Sequence, residues 1–160
     1  ILQNQPGVET MWSADGTRGV SFTSDQGGRG GQLRLIDDRG TTLRRLTFLT
    51  LPSKCMFSSE AAATGDDETA PTTAMKELLY CAVPRDQELF ESSVLPDVYH
   101  KRTLLTVDNF YQISLSDGAA APLLVDQAEN LDADALNIFN NRLFFVNRFD
   151  QKLYSISLSK

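Results

Sequence analysis

The chain is poor in the residues that carry most recognisable chemistry. Its 160 residues include two cysteines, one histidine and one tryptophan. Cys55, Cys81 and His100 are too few for a structural zinc site, which takes four Cys/His ligands. No apolar run approaches the roughly 20 residues that span a bilayer. No signal peptide is present, and the chain begins at Ile1, so it reads as processed or cut from something longer. Charge of one sign is concentrated nowhere. The formal net charge of −6 comes from acids and bases spread over both halves. An acidic balance repels phosphate backbones, which argues against a nucleic-acid partner. Nothing in the sequence calls for a cofactor.

Catalytic motifs are missing as well. There is no G-x-S-x-G nucleophile elbow, and a Ser/His/Asp arrangement would have to use His100. Gly27-Gly-Arg-Gly-Gly31 lacks the Lys-Ser/Thr and the strand-to-helix setting of a phosphate-cradling loop, so it reads as a hairpin connection. Asp66-Asp67-Glu68 does not have the spacing of a calcium loop and reads as a solvated acidic segment. Asp132 and Asp134 point the same way along an extended segment and can share a cation, but a polar turn is favoured. No catalytic residue and no metal site is assigned.

What the sequence does have is short alternating strands broken by turn residues, with almost no helical periodicity. Strands are expected at Val8–Ser13, Arg18–Ser24, Gln32–Asp37 and Thr42–Leu49, with Asp15-Gly16 and Asp38-Arg39-Gly40 among the turns. The pattern restarts with Ser53–Ser58, Leu78–Pro84, Asn109–Ser116 and Pro122–Asp126. Two long segments interrupt it, one over 59–76 and one over 85–106. A third unit holds Ala135–Phe139, Arg142–Asn147 and Lys152–Leu158, one strand short. The units cover about residues 8–49, 53–126 and 135–158 of a single domain.

The units repeat. Phe110-Tyr-Gln-Ile-Ser-Leu-Ser116 lies over Leu153-Tyr-Ser-Ile-Ser-Leu-Ser159 with five of seven positions identical, at an offset of 43 residues. Four strands in a period of roughly 40–45 residues is the pattern of a propeller blade. Trp12-Ser-Ala-Asp-Gly-Thr17 resembles the W-S-x-D-G opening of the WD40-like, TolB-type β-propeller repeat. Leu51-Pro-Ser-Lys-Cys55, Leu79-Tyr-Cys-Ala-Val-Pro84, Leu95-Pro-Asp97, Leu143-Phe-Phe-Val-Asn147 and Leu153-Tyr-Ser-Ile156 together resemble the C-terminal part of propeller-like envelope proteins of small-genome bacteria. That longer match brings no activity with it.

The resemblance implies an all-β chain of four-stranded antiparallel blades, about three of them. It also implies further blades and a membrane anchor upstream, an extracytoplasmic setting, and a natural C-terminus. The missing strand of the last unit would come from Ile1–Gln5, from another chain, or from strand exchange between copies.

Cys55 and Cys81 fall on the first and second strands of one unit. Neighbouring antiparallel strands bring Cα atoms within about 4.5–5.5 Å, which favours a disulfide over two buried thiols. Asp97, Tyr99, His100, Lys101 and Arg102 cluster in the longest loop and are the candidate binding residues. Trp12, Phe22, Phe57, Phe110, Phe139, Phe144 and Phe145 offer an aromatic sugar platform on paper, but their strand positions favour packing between units. The expected function is a non-catalytic binding or scaffold module of the bacterial envelope or exterior. It would contact a protein partner, or itself, through an open blade edge. The alternatives are a hydrolase with a loop-built active site and a structural subunit that assembles through exposed strand edges.

Overall fold

Period-two alternation folds this chain into three antiparallel sheets among the described residues, which in this computed structural model are 6–60 and 76–158. The first sheet holds β1 (Glu9–Trp12), β2 (Arg18–Thr23), β3 (Gln32–Asp37) and β4 (Thr42–Arg45) in that order. The second holds β5 (Cys55–Glu60), β6 (Lys76–Pro84), β7 (Asp108–Ser114) and β8 (Ala120–Leu124), again in chain order. The third holds β9 (Ala133–Phe139), β10 (Arg142–Asn147) and β11 (Leu153–Ser157), with β10 in the middle. Ile1–Gln5 and Asp66-Asp67-Glu68, each of which carried an expectation above, lie outside the described residues.

One local device closes a hairpin in each sheet. The Oδ1 atoms of Asp15, Asp37, Asp117 and Asp150 accept the backbone N–H two residues on, from Thr17, Arg39, Ala119 and Lys152, at 3.0–3.1 Å. Aspartate favours turns for this reason, because its side chain supplies the acceptor that the bent backbone has lost. The Ser13 hydroxyl and the Thr17 N–H hold the Asp15 carboxyl below its usual range.

Several expected strands are redrawn, the strand expected at Pro122–Asp126 running over Ala120–Leu124 among them. The strand over 42–49 ends at Arg45, because Leu49, Thr50 and Leu51 are buried in succession and leave the sheet for the interior. The strand over 53–58 begins only at Cys55, after a 3-10 turn at Pro52–Lys54 that turns Lys54 inward. The third unit starts earlier, at Ala133. The segment over 85–106 holds two helices, α1 (Gln87–Ser92) and α2 (Asp97–His100), too short for a helical period to show in sequence. Asp86 caps α1, accepting Leu89 N–H at 2.8 Å.

The sheets stack through two apolar layers. Between the first and second lie Val20, Phe22, Leu33 and Leu35 against Leu79, Cys81, Val83 and Ile113, with Phe90 and Leu95 from the helical segment. Between the second and third lie Leu78, Tyr80 and Phe110 against Leu136, Leu143 and Phe145. Strand β6 therefore buries both of its faces, Tyr80 toward one layer and Cys81 toward the other. Cys55 and Cys81 stand opposite each other on β5 and β6, with Cα atoms 4.1 Å apart, and form a disulfide.

Candidate functional site

Where the sheets meet, a buried group of charges joins loops from distant parts of the chain. Lys54 ends the 3-10 turn before β5. Thr106 and Asp108 lead into β7, Asp132 stands just before β9, Arg148 just after β10, and Tyr99 on α2. Lys54 Nζ lies 2.7 Å from Asp108 Oδ2 and 2.7 Å from Asp132 Oδ1, with all three side chains fully buried. It also reaches Thr106 Oγ1 at 3.0 Å, which occupies its three protons. Asp132 Oδ2 accepts Thr106 N–H at 3.0 Å and faces Arg148 Nη1 at 3.2 Å. Asp108 Oδ2 accepts Ala133 N–H at 2.8 Å. The Tyr99 hydroxyl donates to the Ala133 carbonyl at 3.0 Å, and the Arg148 guanidinium stacks 4.0 Å from the Tyr99 ring centroid.

Two cations against two carboxylates balance the charge, as burial requires. Burial alone would pull the Lys54 pKa down. Asp108, Tyr99 and Asp132 more than reverse that and hold it above the ordinary lysine value. Burial pushes the Tyr99 phenol up to about 12. Apart from Arg148 Nη1, which faces Asp132 without a hydrogen bond, the hub's polar atoms are spent on one another and on loop backbone, so this chemistry fastens loops together.

The five loop candidates do not converge on one site. Tyr99 turns inward to the hub. His100 Nε2 lies 2.8 Å from Glu9 Oε2, and Glu9 Oε1 accepts Ser53 N–H at 2.6 Å, so the pair ties β1 to the turn before β5. Lys101 pairs with its own helix neighbour Asp97 at 3.2 Å, and Arg102 faces Asp134 at 3.7 Å. Asp132 and Asp134 thus take different partners, one buried and one at the surface. No group of three His, Cys, Asp or Glu suited to a metal occurs among the described residues. Sequence reasoning named Tyr99 and Asp132 but missed Lys54, Thr106, Asp108 and Arg148. A lysine at the start of an expected strand reads as solvated, and its partners lie 54 and 78 positions away.

Solvent-facing chemistry lies instead on the outer faces of the first and third sheets. On the first, Trp12 lies across from Gly19, and Gly19 from Ile36. A Cβ on Gly19 would sit 2.9 Å from the indole and 3.1 Å from Ile36, so its missing side chain is what makes room for the ring. Trp12 remains 44% exposed and forms an apolar groove of about 290 Å³ with Val8, Thr10 and Ile36. On the third sheet the β10–β11 register puts Val146 opposite Leu153, on the same side as Phe144 and Phe139. Leu153 is 69% and Phe139 65% exposed. The expectation that these aromatics pack between units holds for Phe22, Phe110 and Phe145, and it is corrected for Trp12, Phe139 and Phe144, whose faces no described sheet covers.

The described helices include none long and apolar enough to cross a membrane. No family model, curated protein or solved structure matches the chain.

Proposed function

We propose that the chain is a non-catalytic binding or scaffold module made of β-propeller-type blades, working in the bacterial envelope or outside the cell. On this reading it acts by docking further β-sheets, of its own copies or of a partner, onto the outer faces of its first and third sheets. One comparison carries the reading. Phe110 on β7 and Leu153 on β11 hold the same place in the repeat, each on the third strand of its sheet. Phe110 is fully buried under the third sheet, whereas Leu153 is 69% exposed. The repeat thus continues a surface whose counterpart one unit earlier is covered. Propellers stack about four to eight such sheets, so uncovered outer faces fit blades awaiting neighbours. The Cys55–Cys81 disulfide supports an oxidising, extracytoplasmic setting.

Two different faces meeting head to tail close into a ring where the rotation allows, as two three-sheet copies would in a six-sheet propeller, and otherwise grow into an open array, so the mass should rise with concentration to a dimer or beyond. Sedimentation velocity from about 1 µM to about 1 mM tests this, at the weak end of interface affinities. The wild type should gain mass, stopping at the dimer if the ring closes, and Leu153→Asp and Trp12→Ser should each stay monomeric. A wild type that stays monomeric throughout, with Trp12 emission constant, rules out docking between copies.

A further inference from the structure

The outer face of the first sheet continues past Trp12 into a second, polar groove of about 420 Å³, whose lining includes Thr23, Ser24, Gln32, Arg34 and Arg45. Arg34 and Arg45 stand directly opposite each other on β3 and β4. Like charges at such a position repel and destabilise a sheet. Arg34 Nη2 donates to Gln32 Oε1 at 2.9 Å, a neutral amide. Asp25 lines the same groove, yet neither arginine forms an ion pair with a described carboxylate.

The groove also has more donors than acceptors. Arg34 Nε is buried without a hydrogen-bond partner. Ser21 faces the same side as Arg34 across the β2–β3 ladder, and its hydroxyl is buried without a partner too. Orphaned buried donors are uncommon in native proteins and call for an explanation. Two guanidinium groups flanking unfilled donors match an anion with several oxygen acceptors, for which arginine's forked N–H geometry is suited.

We propose that this groove is a binding site for an oxyanion group, phosphoryl or carboxylate, held between Arg34 and Arg45. The site would supply affinity and orientation for a ligand bearing such a group. It does not depend on the docking reading, because it needs no second sheet and its test uses the isolated chain.

The test titrates inorganic phosphate and, separately, citrate into the protein at constant ionic strength. It follows thermal unfolding and the Arg34 Nε–H resonance in nitrogen-15 spectra. The expected result is a saturable rise of several degrees in Tm with at least one anion, together with a saturable shift of the Arg34 Nε–H resonance. Arg34→Gln/Arg45→Gln should lose the Tm response while remaining folded, since the substitutions remove a repulsion. A response to phosphate alone assigns a phosphoryl ligand, and a response to citrate alone assigns a carboxylate. Equal Tm shifts in the wild type and the double variant, or an Arg34 Nε–H that moves with neither anion, would overturn the site. Arg45→Glu adds a check in the free protein. It replaces the repulsion with an opposite-charge pair, so its Tm should match or exceed the wild type without anion, and phosphate should no longer raise it.

Discussion

Lys54 and Asp132 stand 78 positions apart in the chain, and their charged ends meet at 2.7 Å with both side chains fully buried. The same ammonium holds Asp108, so one lysine fastens the entries of β5, β7 and β9 to one another. Removing it leaves two buried carboxylates facing Arg148 alone. Lys54→Met keeps the unbranched stem, one atom shorter, and loses the charge. It should lower stability by about 3–5 kcal/mol, the usual cost of orphaning a buried charge. Urea denaturation should show the midpoint falling with little change in slope. Lys54→Met/Asp108→Asn should recover part of the loss, because it removes one stranded charge. A loss below about 1 kcal/mol for Lys54→Met would mean that water reaches the hub.

The hub was the least legible part of this fold. Strands β2, β3 and β10 follow from alternation and from their flanking turns, and their bounds lie within a residue of those expected from sequence. The Cys55–Cys81 pair follows from strand adjacency. Nothing local marks Lys54 as buried, because its environment is assembled by loops from three sheets. Trp12 misleads for the opposite reason. Its strand position reads as core, yet its exposure depends on whether another sheet covers that face, and no strand pattern encodes this.

Alkaline pH should unfold the protein through the same residues. The folded pKa of Lys54 lies above 10.5, because the carboxylates outweigh its burial, and that of Tyr99 lies at about 12 against 10.0. Both folded values are raised. Their stabilising contributions are therefore complete below about pH 10 and are lost as pH climbs, because the unfolded chain releases protons that the folded chain retains. Each proton steepens the decline by up to about 1.4 kcal/mol per pH unit. The urea midpoint should hold level up to about pH 9.5 and fall between about pH 10 and 12. Tyr99→Phe should make the fall shallower. A midpoint that stays constant across that interval contradicts the charged hub.

The disulfide closes a segment with a sequence separation of 26. Loop-closure entropy for that span amounts to about 3.5 kcal/mol at room temperature. Cys55→Ser/Cys81→Ser should lose roughly that much, or less where the unfolded chain keeps structure around the segment. Both sulfurs sit in the first apolar layer, so Cys55→Ala/Cys81→Ala separates the bridge from the burial of polar hydroxyls. The Ala pair should be the milder of the two. Thiol titration of the denatured wild type should find no free thiol before reduction and two after it. Free thiols before reduction would remove the main support for an extracytoplasmic setting.

Gly19 and Trp12 give the outer face a built-in reporter, because Trp12 is the sole tryptophan. A Cβ on Gly19 would sit 2.9 Å from Cε3 of the indole, closer than carbon atoms pack. The closest neighbour is a side chain on an open surface, so the ring can swing outward while the ladder stays paired, and the buried Ile36, 3.1 Å from that Cβ, must shift by a few tenths of an ångström. Gly19 lies among extended residues of β2, where a β-branched side chain suits the backbone. Gly19→Val should therefore leave the fold intact and change stability by no more than about 1 kcal/mol. Its effect should appear in Trp12, as a red-shifted emission and faster quenching by acrylamide. Displacing the ring also uncovers Ile36, which is only 2% exposed beneath it, so the variant should bind more of a hydrophobic dye than the wild type. Unchanged emission together with a large loss of stability would mean that Trp12 is locked in place and that this face is part of the core.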